Sequence, residues 1–212
     1  HSCQCWPHPG YVHQSTLGMI NIPQKLVFAT NNVYKLKEVQ AILGNAFQLL
    51  SLHDIGFIAE IPEDYETLEE NAMQKARYVF SRTGYSCFAD DTGLEVEALN
   101  GEPGVYSARY AGEDKKSTEN IKKLLMKLNG VENRNARFRT VIALTLSGKD
   151  YLFEGTVNGK IIDSPNGFDG FGYDPVFIPD GYNQTFAQMP LELKNSISHR
   201  GMAISKLVDF LK

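Results

Sequence analysis

Strands and helices alternate in the pattern of hydrophobic and polar positions over the first half of the chain. The apolar run at residues 25–30 predicts a short buried strand. A helix with one buried face follows and ends at Gly44, because its apolar residues recur three or four positions apart: Val33, Leu36, Val39 and Leu43. Residues 47–52 predict a second strand, which leads into an acidic loop at residues 60–66.

A second helix and two short strands are predicted next. Thr67 and Glu70 have the spacing of a capping box, with Thr67 as N-cap, and the helix that they open extends to residue 82 or so. Residues 86–89 predict a third strand, which ends at the pair Asp90-Asp91. Residues 93–99 predict a further strand, and a glycine-flanked loop follows it.

The hydrophobic period changes in the second half of the chain. Residues 121–128 predict a helix, and residues 137–146 and 151–162 predict two long strands joined as a β-hairpin. A glycine-rich loop over residues 163–172, a last strand over residues 173–178 and a closing helix over residues 199–212 complete the pattern. This order predicts an α/β fold: a mixed, elongated central sheet flanked by helices, in two lobes around a cleft.

Composition and charge exclude several classes of protein. Of the 212 residues, 42% are hydrophobic and the net charge is −4, which is typical of a folded domain and not of a disordered chain. No apolar run approaches the roughly 20 residues of a membrane-spanning helix, so no membrane partner is expected. The acidic total predicts no stable nucleic-acid binding, although it is compatible with a local basic site.

The first 18 residues differ from the rest of the chain. They lack a basic start and an apolar segment, and so do not form a signal peptide. Five of them are potential metal ligands: His1, Cys3, Cys5, His8 and His13. The preferred interpretation is a disordered leader ahead of a single domain over residues 19–212, because Met19 precedes the first patterned segment. Cys87 is then the domain's one cysteine, which predicts a reducing, cytoplasmic compartment.

Polar residues gather at the predicted ends of strands, where α/β proteins bind ligands. One group joins the first strand to the first helix: Thr30, Asn31, Asn32, Val33, Tyr34 and Lys35. Backbone N–H groups at a helix start favour an anion, and Lys35 lies where it can reach a phosphate. Simple capping by the two asparagines, with a solvated lysine, is the alternative.

A carboxylate pair, Asp90 and Asp91, forms the second group. Adjacent carboxylates repel each other and therefore favour a bound cation, and Mg²⁺ takes hard oxygen ligands of this kind. Glu63 in the acidic loop, or Glu70 on the next helix, offers a further carboxylate. An exposed turn is the alternative, because Asp-Thr-Gly at residues 91–93 is common in turns.

Two more groups lie toward the C-terminus. Glycines in the loop over residues 167–175 permit close approach to a ligand, and Phe171 and Tyr173 offer a stacking surface for a base; an ordinary loop with two core aromatics is the alternative. Ser198 is predicted to cap the last helix. His199 and Arg200 then oppose the helix macrodipole, which favours an acceptor-rich ligand, while an exposed pair at a loop–helix junction is the alternative. Together, the four groups predict a nucleotide-binding cleft.

Six segments resemble, in order and with compatible spacing, the motifs of the Ham1-type pyrophosphatases of non-canonical purine nucleoside triphosphates, also called inosine triphosphate pyrophosphatases. They are residues 30–35, 70–77, 89–94, 103–110, 170–175 and 198–201. The resemblance covers the chain from Lys25 to its C-terminus. It implies a cytoplasmic homodimer that uses Mg²⁺ to hydrolyse ITP, dITP and XTP to the monophosphate and pyrophosphate.

The resemblance also implies residue roles. Asp91 is the implied general base and metal ligand, with Asp90 and Glu63 as further metal ligands, and Lys35 balances charge on the triphosphate. The remaining implied substrate contacts, besides residues 30–34, are Lys75, Thr92, Phe171, Gly172, Tyr173, Asp174, Lys194, His199 and Arg200. Two other functions compete: a Maf-type pyrophosphatase that prefers modified pyrimidines, and a non-catalytic nucleotide-binding or RNA-associated module.

Overall fold

The computed structural model describes residues 24–212, so the predicted leader at residues 1–18 lies outside the described residues. The strands of the described part are β1 (Gln24–Phe28), β2 (Phe47–Leu50), β3 (Cys87–Val96), β4 (Asn135–Leu146), β5 (Lys149–Ile161) and β6 (Phe177–Pro179). Its α-helices are α1 (Val33–Leu43), α2 (Leu68–Thr83), α3 (Ser117–Lys127), α4 (Leu191–Ile197) and α5 (His199–Leu211). None of these helices is long and apolar enough to cross a membrane.

The strands form one mixed sheet in the order β2-β1-β3-β4-β5-β6. β1 pairs in parallel with β2 and β3, whereas β3, β4, β5 and β6 pair antiparallel in turn. α2 packs on β3 and β4, and α5 packs on β4 and β5. The predicted α/β class with a mixed sheet and flanking helices is confirmed, while the division into two lobes stays a prediction.

The carboxylate pair lies inside a strand. The prediction of two strands, at residues 86–89 and 93–99, is wrong, because β3 runs without a break through both and pairs with β4 along its whole length. Asp90 and Asp91 pair with Ile142 and Val141 of β4, which also excludes the exposed turn. Backbone hydrogen bonds hold a strand regardless of side-chain charge, so an acidic pair can sit within it when partners on other elements balance the charge.

Alternate residues of β3 face opposite helices. Phe88 lies in the core cluster of α1 and α5, whereas Cys87 and Ala89 lie in the core cluster of α2. Side chains along a strand point to the two faces of the sheet in turn. Asp90 therefore continues the face of α1 and α5, and Asp91 the face of α2.

Near the C-terminus one further prediction is wrong, and one helix was not predicted. The expected strand at residues 173–178 is a 3₁₀ turn, Asp174–Val176, followed by the short β6. Residues 191–197 carry α4, which the hydrophobic pattern did not indicate. Seven residues make only two turns, too few for a helical period to appear in the sequence.

Predicted caps and the hairpin are found where expected. Asn32 caps α1, Ser198 caps α5 through the Gly201 N–H at 3.1 Å, and the Thr67 hydroxyl accepts the Glu70 N–H at 3.2 Å. The Glu70 carboxylate accepts a hydrogen bond from the Thr67 hydroxyl and not from the Thr67 backbone N–H. β4 and β5 form the predicted hairpin in continuous register.

Gly155 of β5 sets how closely α5 approaches the sheet. A Cβ atom built at this glycine would overlap the His199 carbonyl oxygen and lie 2.8 Å from the Ala203 backbone nitrogen. Both neighbours are backbone atoms of α5, so no side chain can rotate away to make room. The first turn of α5 thus packs directly on β5, and a side chain at position 155 has to push it outward.

We therefore expect Gly155→Ala to lower the free energy of unfolding by about 1–3 kcal/mol, the usual range for an overpacked core. Chemical denaturation followed by circular dichroism measures the change. Asn158→Ala, at an exposed position three residues along the same strand, is the matched control and should stay within about 0.5 kcal/mol of the parent. Equal effects of the two variants would contradict the close packing of α5.

Candidate active site

A cavity of about 480 Å³ opens beside the middle of β3. β1 pairs with β3 only through Val27 and Phe28, and the chain then turns away into α1 while β3 continues to Val96. The gap beside β3 is reached from both faces of the sheet. Sixteen of the residues singled out from the sequence line it: Thr30, Asn31, Asn32, Lys35, Glu63, Lys75, Asp90, Asp91, Thr92, Phe171, Gly172, Tyr173, Asp174, Lys194, His199 and Arg200.

The turn from β1 into α1 forms one rim of the cavity. Asn32 Oδ1 accepts the N–H groups of Tyr34 at 3.0 Å and Lys35 at 3.2 Å, and the Asn32 N–H donates to the Thr30 hydroxyl at 3.1 Å. Two of the N–H groups expected to face an anion are thus already bonded by the cap. Val33 and Tyr34 are exposed and do not line the cavity.

On the face of α1 and α5, Asp90 is held between cations. Its two oxygens accept from Lys35 Nζ at 2.9 Å and from Arg200 Nε at 3.2 Å. Burial alone would raise the pKa of Asp90, but the charges of Lys35 and Arg200 outweigh it and hold this pKa far below the ordinary value. Asp90 is therefore a fixed negative charge that anchors two cations.

On the face of α2, Asp91 meets Lys75 and Glu63. Lys75 Nζ donates to Glu63 Oε1 at 2.9 Å and to Asp91 Oδ1 at 3.2 Å, while Asp91 Oδ2 is buried without a hydrogen-bond partner in the described residues. Burial raises the pKa of Asp91. The charge of Lys75 lowers this pKa but does not offset the effect of burial, because Lys75 also pairs with Glu63. The pKa values of the two adjacent aspartates are thus shifted in opposite directions: that of Asp90 is lowered and that of Asp91 is raised.

Glu38 of α1, which the sequence analysis did not single out, is buried behind the cavity. It accepts from Lys194 Nζ and, at 2.5 Å, from Arg200 Nη1. Burial would raise the pKa of Glu38, but these two cations hold it below its ordinary value. Its position three residues after Lys35, on the same helix face, is the signal that could have found it.

Lys194 of α4 also binds Asp174, at 2.6 Å from Oδ2, and this carboxylate oxygen accepts the Phe171 N–H at 3.0 Å. The loop that carries Phe171 is thereby tied to the charge network. The Phe171 ring stacks on Tyr34 with centroids 5.4 Å apart. Tyr173 is buried, and its hydroxyl donates to the Ser107 carbonyl at 2.7 Å.

His199, at the start of α5, is 3% exposed. Its ring stacks on Phe138 with centroids 4.7 Å apart, and its Nδ1 is buried without a partner among the described residues. Burial, together with the charges of Arg200 and Lys194, lowers the pKa of His199 well below its ordinary value. The imidazole is therefore neutral at pH 7 and offers one N–H donor toward the cavity it lines.

Two carboxylates fit a divalent cation. Glu63 and Asp91 share the Lys75 ammonium, and Asp91 Oδ2 is a buried hard oxygen that lacks a partner in residues 24–212. Mg²⁺ needs only one or two protein carboxylates when substrate phosphates and water complete its shell. No set of three or more His, Cys, Asp or Glu side chains in the described part of the chain is arranged to hold a metal by itself.

The fold and cavity define an α/β protein whose cleft is lined by cations, by an aspartate with one buried oxygen that has no partner in the described residues, by an aromatic ring and by a buried histidine. The Ham1 family model matches residues 26–210, and the chain belongs to this family.

Curated relatives and a solved structure agree with the assignment to the Ham1 family. A dITP/XTP pyrophosphatase of Flavobacterium johnsoniae is 54% identical over 88% of this chain and 97% of its own length. One of the same name from Porphyromonas gingivalis is 51% identical over 89% and 97%. The Staphylococcus aureus Ham1 protein has a TM-score of 0.80 with 41% identity, over 89% of this chain and 98% of that one.

The buried neutral state of His199 predicts a pH-dependent loss of stability. Unfolding exposes the imidazole, which then takes up a proton below its ordinary pKa of about 6.5, whereas burial disfavours protonation of this imidazole in the folded protein. The unfolded state thus binds more protons, and the free energy of unfolding falls as the pH drops. Between pH 6.5 and 5 the loss through this one group is about 1.5 kcal/mol.

His199→Phe keeps an aromatic ring on Phe138 and removes the titrating group. We expect denaturant melts of this variant to lose about 1.5 kcal/mol less than the parent over the same pH range. Parallel pH profiles of the two proteins would show that His199 titrates alike in the folded and unfolded states.

Proposed function

We propose that this protein hydrolyses non-canonical purine nucleoside triphosphates, ITP, dITP and XTP, to the nucleoside monophosphate and pyrophosphate. The observation that carries the proposal is the state of Asp91 beside Lys75 and Glu63: its pKa is raised, and its buried Oδ2 has no hydrogen-bond partner within residues 24–212. A carboxylate in this state is suited to take a proton from an attacking water. The names of the curated relatives agree with the proposal.

The triphosphate would lie along the cationic end of the cleft. Lys75 is buried and Lys35 is partly buried, each paired with a carboxylate, so their ammonium groups are held in place before a substrate arrives. Fixed charges of this kind stabilise the negative charge that develops on the phosphate oxygens. The N–H groups of Thr30, Asn32 and Tyr34 already bond within the turn, so Asn31 and Val33 would offer the further backbone donors at the rim. Thr92 would contact the substrate from beside Asp90.

Asp91 and Glu63 would hold Mg²⁺, which when bound neutralises phosphate charge and makes a coordinated water more acidic. Asp90 differs, because Lys35 and Arg200 engage both of its oxygens. We therefore assign Asp90 to positioning these cations rather than to the metal. Asp91 takes the proton of the attacking water as the bond between the α- and β-phosphates breaks.

The base would be read at the other end of the cleft. Phe171 offers its ring for stacking, and the neutral His199 offers an N–H donor to a purine O6. Adenine presents an amino group at that position, so two donors would face each other and the pairing fails. A site built to hydrogen-bond one group rejects an analogue that leaves its buried donor unpaired. Lys194 and Arg200 support this end of the cleft through Glu38 and Asp174.

Two broader expectations belong to the same proposal. The enzyme would act in the cytoplasm as a homodimer, as the family resemblance implies, and its partners would be nucleotides rather than nucleic acids or membranes. The net charge of −4 supports the absence of nucleic-acid binding. The cationic groups of the cleft lie in pairs with carboxylates and not as a basic surface.

Pyrophosphate release from ITP, XTP, dITP, GTP and ATP, with and without Mg²⁺, tests the proposal. We expect Mg²⁺-dependent release from the first three and little from GTP or ATP. A preference for modified pyrimidines would instead indicate a Maf-type enzyme. Nucleotide binding without release would indicate a non-catalytic module.

Asp91→Asn removes the base while keeping the size of the side chain. We expect it to lower kcat for ITP by about a hundredfold or more, in line with the loss of a general base. Asp163→Asn, on an exposed carboxylate far along the chain, is the control and should keep the parent kcat. Near-parental turnover of Asp91→Asn at saturating Mg²⁺ would remove Asp91 from the mechanism.

A further inference from the structure

Lys75 occupies the position between the two carboxylates that fit a metal. Its Nζ lies 2.9 Å from Glu63 Oε1 and 3.2 Å from Asp91 Oδ1. The lysine belongs to the middle of α2, flanked by the fully buried Ala72 and Ala76, and is itself 7% exposed. The ammonium is thus delivered to the carboxylates from a rigid, buried helix face.

Electrostatic repulsion prevents the Lys75 ammonium and a metal ion from occupying this position together. An ammonium and a divalent cation bound between the same two carboxylates would repel each other at close range, in a site from which most solvent is removed. In the free protein the lysine offsets one of the two negative charges, and Arg109 Nη1 lies 3.5 Å from Glu63 Oε2. A metal ion arriving alone would have to displace it, and the neighbouring Asp90 could not take the ammonium, because both of its oxygens already bind other cations.

We propose that Lys75 acts as an internal counter-ion that keeps free divalent metal out of the Glu63–Asp91 site until a nucleotide arrives. This inference rests on the proposed function and adds to it the order in which metal and nucleotide bind. The triphosphate brings several negative charges, so the ammonium has a new partner and the metal enters together with the nucleotide. Asp91 Oδ2, which is buried and has no hydrogen-bond partner in the described residues, is left to receive the cation.

The arrangement has a functional consequence. A site loaded with metal in the absence of substrate would hold an activated water next to any phosphate ester that enters the cleft. Gating by Lys75 restricts the loaded state to complexes that carry a polyphosphate. Metal and triphosphate should therefore bind with strong positive coupling, each raising the affinity for the other by the same factor.

Mn²⁺ binding to the full-length protein without nucleotide tests the proposal, measured by titration calorimetry or by the electron paramagnetic resonance signal of free Mn²⁺. We expect weak binding to the parent and at least tenfold tighter binding to Lys75→Gln. Lys75→Arg, which keeps the charge, should bind as weakly as the parent. Lys115→Gln removes a lysine that lines the same cavity and acts on Glu63 only through space, so it should change affinity by less than threefold.

Mn²⁺ affinity of Lys75→Gln equal to that of the parent would overturn the proposal, as would equal tightening in Lys75→Arg or Lys115→Gln. If Lys75→Gln is too unstable for the titration, the rise of its thermal midpoint on adding Mn²⁺ replaces the titration: a rise much larger than that of the parent supports the counter-ion, and an equal rise contradicts it.

The proposed function fails separately from this inference. It fails if the parent releases no pyrophosphate from ITP, whatever the Mn²⁺ affinities are.

Discussion

The alternation of side chains along β3 is the constraint on which the site depends. Because Asp90 and Asp91 are consecutive in one unbroken strand, they point to opposite faces of the sheet. Each meets a different set of helices: α1 and α5 supply Lys35 and Arg200 to Asp90, and α2 supplies Lys75 to Asp91. Two neighbouring carboxylates that would repel each other in a turn are thereby separated, and their pKa values shift in opposite directions.

A buried charge network follows on the face of α1 and α5. Glu38, Asp90 and Asp174 share the cations Lys35, Lys194 and Arg200, so each buried charge has at least one opposite partner. Such networks add little net stability, but removing one member leaves a buried charge unpaired and costs about 3–5 kcal/mol. We infer that the network serves to orient the helices around the cleft. It fixes α1, α4 and α5 around one cleft, in which Asp91 Oδ2 and His199 Nδ1 have no partner among the described residues.

Much of the fold and most of the residues of the site were predictable from the sequence, and the predictions that failed did so for physical reasons. Long periodic elements, the caps at Asn32 and Ser198, and the hairpin followed from local patterns. The continuity of β3 did not, because carboxylates inside a strand are balanced by residues far along the chain: Lys35, Lys75 and Arg200 lie up to 110 positions from Asp90. Glu38 was missed for the same reason, since an isolated glutamate on a helix resembles a solvated one until its partners are known.

The two aspartates have separate roles, and nucleotide affinity distinguishes these roles. The measurement is the ratio of the dissociation constants of ATP and ITP, determined for the parent, Asp90→Asn and Asp91→Asn. We predict that Asp91→Asn keeps the parental preference for ITP, because the base end of the cleft is untouched. Asp90→Asn loosens Arg200 and should reduce that preference about tenfold, the effect of losing one charge-assisted hydrogen bond. Equal changes in the two variants would contradict the division of roles between the faces of the sheet.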